Sequence, residues 1–238
     1  MKRVDRFYIP NIQSDPQNTF HIPKQSSPDL FHQFTKVLRL RVGDNCILFT
    51  NEKEFSCKLS SIDKYEVQIS IESEKTLIKS KPLHFWIPII HPTHIEELIS
   101  NCSQIGVTHF HFFRAEYSQV MYEKQIFSEK KMTRLKKLAI EATEQSEGNL
   151  VPEIDTICYN FTDLPFGKNM MIAIEREVSS INTSTPLHIA IGPEGGWSPE
   201  EKKIILESEC TCISLGKNIL RAEVAGTVLA YEAVKRFE

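Results

Sequence analysis

Hydrophobic and polar positions change their spacing partway along this chain. Up to about residue 75 the apolar residues fall in short runs or alternate with polar ones. Cys46-Ile47-Leu48-Phe49 and Glu66-Val67-Gln68-Ile69-Ser70-Ile71 are rich in β-formers, and they predict strands. Gly43-Asp44 and Asn51-Glu52-Lys53 supply turns around them. Ser27-Pro28-Asp29 opens a helix, with Ser27 as N-cap and Pro28 at the first position, where its missing N–H costs nothing. That helix is expected to run towards Arg39. The pattern is that of a small β-barrel.

Beyond the lysine-rich stretch Lys75 to Lys81, longer helices alternate with buried strands, the signature of an α/β domain with a mainly parallel sheet. His84 to Ile90 predicts a buried strand in which Pro88 marks an edge or a frayed end. Thr93 and Glu96 have the spacing of a capping box, and Ile95, Leu98, Ile99, Cys102 and Ile105 line one helix face before Gly106 ends it. Thr108 to Phe113 reads as a strand. Met132, Leu135, Leu138, Ala139 and Ala142 mark the buried face of a second long helix. Met170 to Ile174 and Leu187 to Ile191 are apolar runs of strand length, and continuous apolarity fits strands covered on both faces. A last helix is expected from about Glu223 to Arg236.

Composition adds limits. The 238 residues, 41% hydrophobic and 25% charged, give room for two folded domains and exclude a mostly disordered chain. No apolar run reaches about 18 residues and the N-terminal residues lack a secretory pattern, so a cytoplasmic protein is expected. Six cysteines without a C-x-x-C pair suggest reduced thiols rather than a zinc ribbon or a dithiol. With a net charge of -3, affinity for nucleic acid would have to rest on local basic clusters. Lys36, Arg39 and Arg41 form one; Lys130, Lys131, Arg134, Lys136 and Lys137 form another.

Chemistry concentrates near the C-terminus. Gly192-Pro193-Glu194-Gly195-Gly196 joins a buried strand to a helix opened by Ser198, Pro199 and the capping-box partner Glu201. Its glycines allow a tight turn and close approach of a ligand to bare backbone groups. The Rossmann and P-loop patterns are absent, and Glu194 suits a ligand with positive charge better than a phosphate. A tight turn without a ligand is the alternative. A second stretch, Ser214 to Glu223, follows another short strand and leads into the last helix.

The order Gly192-Pro193-Glu194-Gly195-Gly196 and then Leu215-Gly216-x-x-Ile219-Leu220-Arg221-x-Glu223 closely resembles the RsmE family, which methylates N3 of a uridine in 16S ribosomal RNA with S-adenosylmethionine. The likeness also takes in Arg6-Phe7-Tyr8, Lys36-Val37-Leu38-Arg39, Gly106-Val107, and Ile140 to Ser146 with Val151-Pro152, nearly the whole chain. The resemblance implies a PUA-like, RNA-binding β-barrel over residues 1–75. A SPOUT α/β domain with a deep C-terminal trefoil knot would follow over residues 76–238, in a homodimer. It implies that Ile174, Gly192, Pro193, Glu194, Gly195, Gly196, Leu215, Gly216, Ile219 and Leu220 hold the cofactor, and that Arg221 and Glu223 are catalytic. Arg6, Lys36 and Arg39 would meet the RNA.

The chain departs from the family pattern at His91, Asn101, Gln104, Gly148, Ala222 and Val224. Two alternatives therefore stand beside the enzyme: a ribosomal-RNA-binding or assembly protein that keeps the fold with little activity, and a SPOUT methyltransferase acting on transfer RNA. The pairs His91/His94 and His109/His111 lack an evident third ligand. They read as turn and strand-surface residues, and no metal is expected.

Overall fold

The computed structural model describes residues 4–78, 81–175 and 185–236. The chain divides into two compact units, Met1–Lys79 and Ser80–Glu238. Lys75 to Lys81, the expected junction, includes positions outside the described residues.

The first unit is a five-stranded sheet of β1 (Asp5–Tyr8), β2 (Thr19–Pro23), β3 (Asn45–Phe49), β4 (Lys53–Ile62) and β5 (Glu66–Thr76), ordered β1-β3-β4-β5-β2. The β1–β3 pair is parallel and the others are antiparallel. Alternation sends Phe55, Cys57 and Leu59 of β4 inward with Cys46 and Leu48 of β3. Phe31 and Phe34 close this core from α1 (Pro28–His32) and the π-helical turn Gln33–Val37 that continues it. The Phe7 and Phe34 rings stack at 4.1 Å. Instead of a closed barrel, the strands form a sheet whose end strands β1 and β2 share no ladder among the described residues. Ser27 is the N-cap, but its side chain makes no capping bond, because its backbone (φ -133, ψ 56) lies outside the usual cap conformation.

The second unit holds six strands: β6 (His84–Pro88), β7 (His109–Arg114), β8 (Glu153–Asn160), β9 (Met170–Ala173), β10 (His188–Ala190) and β11 (Thr211–Ile213). All pair in parallel, in the order β11-β9-β10-β6-β7-β8. On one face Phe85, Ile87, Phe110, Phe112 and Met171 pack under α2 (Pro92–Ile105), α4 (Glu129–Gln145) and α6 (Ala222–Val234). A short α3 (Glu123–Ile126) precedes α4. On the other face Trp86, Phe113, Met170 and Ile172 meet Phe161, Leu164, Trp197 and Ile205 of α5 (Pro199–Glu207). Helix α6 lies so close to the sheet that a Cβ on Gly226 would stand 2.8 Å from Phe85 and 2.5 Å from Leu98. Any side chain at this position would force those core side chains to shift.

Pro88 marks the end of its strand, as one of the two expected outcomes had it, and that strand lies in the middle of the sheet and not at an edge. One expectation changes. Thr93 is not the cap of α2: Pro92 starts the helix, and His91 caps it by accepting from the Thr93 N–H. Glu96 is thereby free to pair with Lys131 and Arg134 of α4. Strand β8, whose buried residues are few, was not anticipated by its pattern.

At the amino ends of the central strands His188, His84 and His109 lie side by side in register. The rings of His84 and His109 stack at 4.2 Å, and His84 Nδ1 is 2.9 Å from Nε2 of His111, which reaches Asp155. Burial first, and then the neighbouring imidazoles, push His84 down to about 4, against the pull of Asp155. Burial likewise lowers His109, where Glu153 opposes it, and His188. Such groups stay neutral in the fold. As the pH falls below their ordinary value of about 6.5, the unfolded chain takes up protons that the fold refuses, so stability is lost from there down to about pH 4. Thermal melts are expected to shift downwards from about pH 7 to about pH 4.5, and less so in His84→Gln; an unaltered slope in that variant would remove His84 as a cause.

Candidate active site

Parallel strands send all their following loops out at one end of the sheet. Helix α2, after β6, packs on one face, while α5, after the adjacent β10, packs on the other. A crevice opens where neighbouring connections part in this way. Here it is a cavity of about 420 Å³, a size suited to a small-molecule ligand.

Its wall collects Ile174 after β9, Gly192, Pro193, Glu194 and Gly196 after β10, and Leu215, Gly216, Ile219, Leu220, Arg221 and Glu223 after β11. The two stretches singled out in the sequence thus face one space. Gly195 is the exception: it points away, with a Cβ there 3.0 Å from Cβ of Tyr117. Gly196 and Gly216 adopt φ of 75° and 119°, which a residue with a side chain rarely does. Gly192 lies against Trp197, whose Nε1 donates to the Ala173 carbonyl at 3.0 Å and so braces the β10 loop on β9. The helix beyond starts as anticipated, with Ser198 and Glu201 exchanging both capping-box bonds.

Glu194 is the knot of contacts. Its Oε1 accepts from the His91 amide at 3.1 Å and lies 3.2 Å from His94 Nδ1, while Oε2 accepts from Gln119 Nε2 at 2.9 Å. One carboxylate therefore holds the β10 loop to the loops after β6 and β7. Glu223 is buried at the start of α6, and its Oε2 has no hydrogen-bond partner. Its nearest basic neighbour is His94 at 3.8 Å, not Arg221, which is exposed at the N-cap of α6 and forms no ion pair among the described residues.

His94, Trp197 and Lys202 were not foreseen as part of this wall. A signal existed for His94: the first turn after a central parallel strand opens onto the crevice. In the first unit Lys36 and Arg39 are exposed beside Val37 and Leu38, with Arg39 in the left-handed region at φ 53°. Arg6 is instead drawn in. Its guanidinium pairs with Glu54 at 2.8 Å and lies over the Phe49 ring. Among the described residues none of the six cysteines forms a disulfide, no cluster of three or more His, Cys, Asp or Glu could hold a metal, and no helix is long and apolar enough to cross a membrane.

The family model described as an RNA methyltransferase domain matches residues 78–233, and that of the RNA methyltransferase PUA domain matches residues 29–72. Fold and crevice together thus define an RNA methyltransferase domain joined to a PUA-type unit. The chain belongs to the ribosomal RNA small subunit methyltransferase E family. It is 31% identical to the Rickettsia conorii member over 207 residues, 82% of either chain, and 28% identical to that of Bacillus subtilis over 214 residues, again 82% of either. A structure of the Neisseria gonorrhoeae member, bound to S-adenosyl methionine, shares the fold with a TM-score of 0.78 at 23% identity, over 97% of this chain and 96% of that one. So does a putative methyltransferase from Legionella pneumophila in complex with the same cofactor, with a TM-score of 0.78 at 24% identity over 98% and 97%.

Replacing Glu194 by Ala is expected to release the His91 amide and loosen the three joined loops, at a cost of about 0.5–1.5 kcal/mol because these bonds are open to solvent. Hydrogen exchange would show faster exchange at His91 and around Gly192 to Gly196. Unchanged exchange there would mean that the carboxylate does not hold the loops.

Proposed function

We propose that this chain transfers the methyl group of S-adenosylmethionine to N3 of a uridine in the 16S ribosomal RNA of the small subunit, working in the cytoplasm as a homodimer. The observation that carries the reading is the convergence of the two family motifs on one cavity. Its residues suit the cofactor: apolar Ile174, Leu215 and Leu220 offer contacts to a purine, and glycine-rich turns expose backbone donors and acceptors. Glu194 offers negative charge to a cationic ligand. When bound, the cofactor supplies an electrophilic methyl group on a positively charged sulfur.

The remaining work falls to the protein. Arg221, exposed at the rim and permanently charged, would contact a uracil oxygen or a phosphate and stabilise the anion that forms as N3 loses its proton. Lys36 and Arg39 would meet phosphates and set the register of the RNA rather than its sequence. Arg6 would serve that surface indirectly, by holding β1 to Glu54 of β4. In this reading residues 1–75 form the RNA-binding unit, and residues 76–238 carry the reaction and the trefoil knot of the family. The outer side of α6, with Val224 and Tyr231 exposed on an otherwise apolar helix, would meet a second copy.

Nucleoside mass spectrometry of small-subunit RNA from cells with and without the protein tests the activity. N3-methyluridine is expected to disappear with the protein. Its persistence would overturn the reading, and loss of the mark from transfer RNA instead would reassign the substrate. For the site, Arg221→Ala is expected to lower turnover by about 10²–10³-fold while calorimetric affinity for S-adenosylmethionine stays within about twofold. Wild-type turnover in that variant would refute the role of Arg221.

A further inference from the structure

His94 lies in the first turn of α2 and on the cavity wall, outside both motif stretches. Its Nδ1 is 3.2 Å from Oε1 of Glu194 and 3.8 Å from Oε2 of Glu223. The second separation is too long for a hydrogen bond. That leaves Glu223 Oε2 with no donor, although its side chain is only 8% exposed. A buried carboxylate oxygen without a donor is costly. It becomes favourable once a positive charge develops beside it, and the imidazole of His94 is the basic group that stands there.

The geometry points to His94 as the base that accepts the N3 proton of the target uracil, with Glu194 and Glu223 as the carboxylates that orient the ring and then balance its charge. This deepens the methyl-transfer reading and rests on it. In the resting ring Nδ1–H donates to Glu194, which leaves the Nε2 lone pair available, and Nε2 has no hydrogen bond among the described residues. The uracil N3–H bond breaks, its proton going to Nε2 and its electron pair remaining on N3. N3 then forms its bond to the methyl carbon as the carbon–sulfur bond breaks, and that electron pair leaves with sulfur as a neutral thioether. The proton on His94 passes to water. While it is held, Glu223 has the cation that its Oε2 otherwise lacks, the role an acidic partner plays behind a histidine base.

Arg221 and Glu194, also on the wall, fit this task less well. Arg221 is permanently protonated and cannot accept a proton. Glu194 is already engaged with the His91 amide and Gln119. A carboxylate is also a weaker match than an imidazole for a weakly acidic imide.

The experiment compares full-length wild-type, His94→Ala, His94→Arg and Glu223→Gln proteins on small ribosomal subunits lacking the mark, with calorimetry and histidine ¹⁵N spectra of the RNA-free proteins. His94→Ala is expected to lose about 10²–10⁴-fold in turnover with cofactor affinity within about twofold, and to regain part of the rate with added imidazole. Its residual rate should rise at high pH, where uracil loses the proton unaided. His94→Arg restores a cation between the carboxylates but cannot accept a proton, so it should stay as slow as His94→Ala. Glu223→Gln should slow turnover without weakening cofactor affinity, and His94 should show the Nδ1-protonated tautomer. Full turnover in His94→Arg would overturn the proposal by showing that His94 is only an ionic brace. So would the Nε2-protonated tautomer, or lost cofactor affinity in Glu223→Gln with unchanged turnover. If the wild type methylates no uridine, the underlying reading fails instead, while the tautomer and the affinities are still measured.

Discussion

In a sheet whose six strands all run the same way, every connection after a strand leaves from one end, and the choice of face for each helix decides where a ligand can sit. The chain covers one face after β6 and the opposite face after β10, although the two strands are neighbours. No helix can roof the gap between connections that part like this, so the loops after β9, β10 and β11 are left to line it. The tight seating of α6 through Gly226 belongs to the same constraint. It brings the N-terminus of α6, with Arg221 and Glu223, down to the rim.

Two carboxylates in that crevice are treated in opposite ways. Glu194 accepts from a backbone amide and a side-chain amide, and it binds three loops into one rigid rim. Glu223 is buried more deeply and left incomplete. If both were satisfied, the site would be more stable and less able to answer a positive charge. In the proposed reaction, stability is given up at the residue whose unspent negative charge the chemistry would use, while its neighbour supplies the rigidity.

Much of this was legible in the residues. The continuous apolar runs at Met170 and Leu187 gave strands covered on both faces, and Ser198-Pro199-x-Glu201 gave a helix start with both capping bonds in place. These are local signals, set by residues a few positions apart. The misreadings came where distant contacts decide. Thr93 and Glu96 have capping-box spacing, but Glu96 is claimed by Lys131 and Arg134, 35 and 38 positions further on, and His91 caps instead. Strand β8 is an edge strand whose register to β7 is irregular, so its alternation is blurred. Convergence of Leu215 to Glu223 with Gly192 to Gly196 follows from strand order, which no local spacing encodes; only the family likeness joined them.

The histidines show how far residue type alone falls short of role. His84, His109 and His188 sit at the amino ends of three adjacent strands, stacked on one another, and burial holds them below their ordinary values. Adding a proton there sets cation against cation. His94, in the first turn beyond the carboxyl end of β6, has the tilted ring of His91 at 5.5 Å but, closer, one carboxylate at 3.2 Å and another at 3.8 Å. In the proposed mechanism the proton moves at the end of the sheet where the loops open, and the crowded end is left as neutral packing.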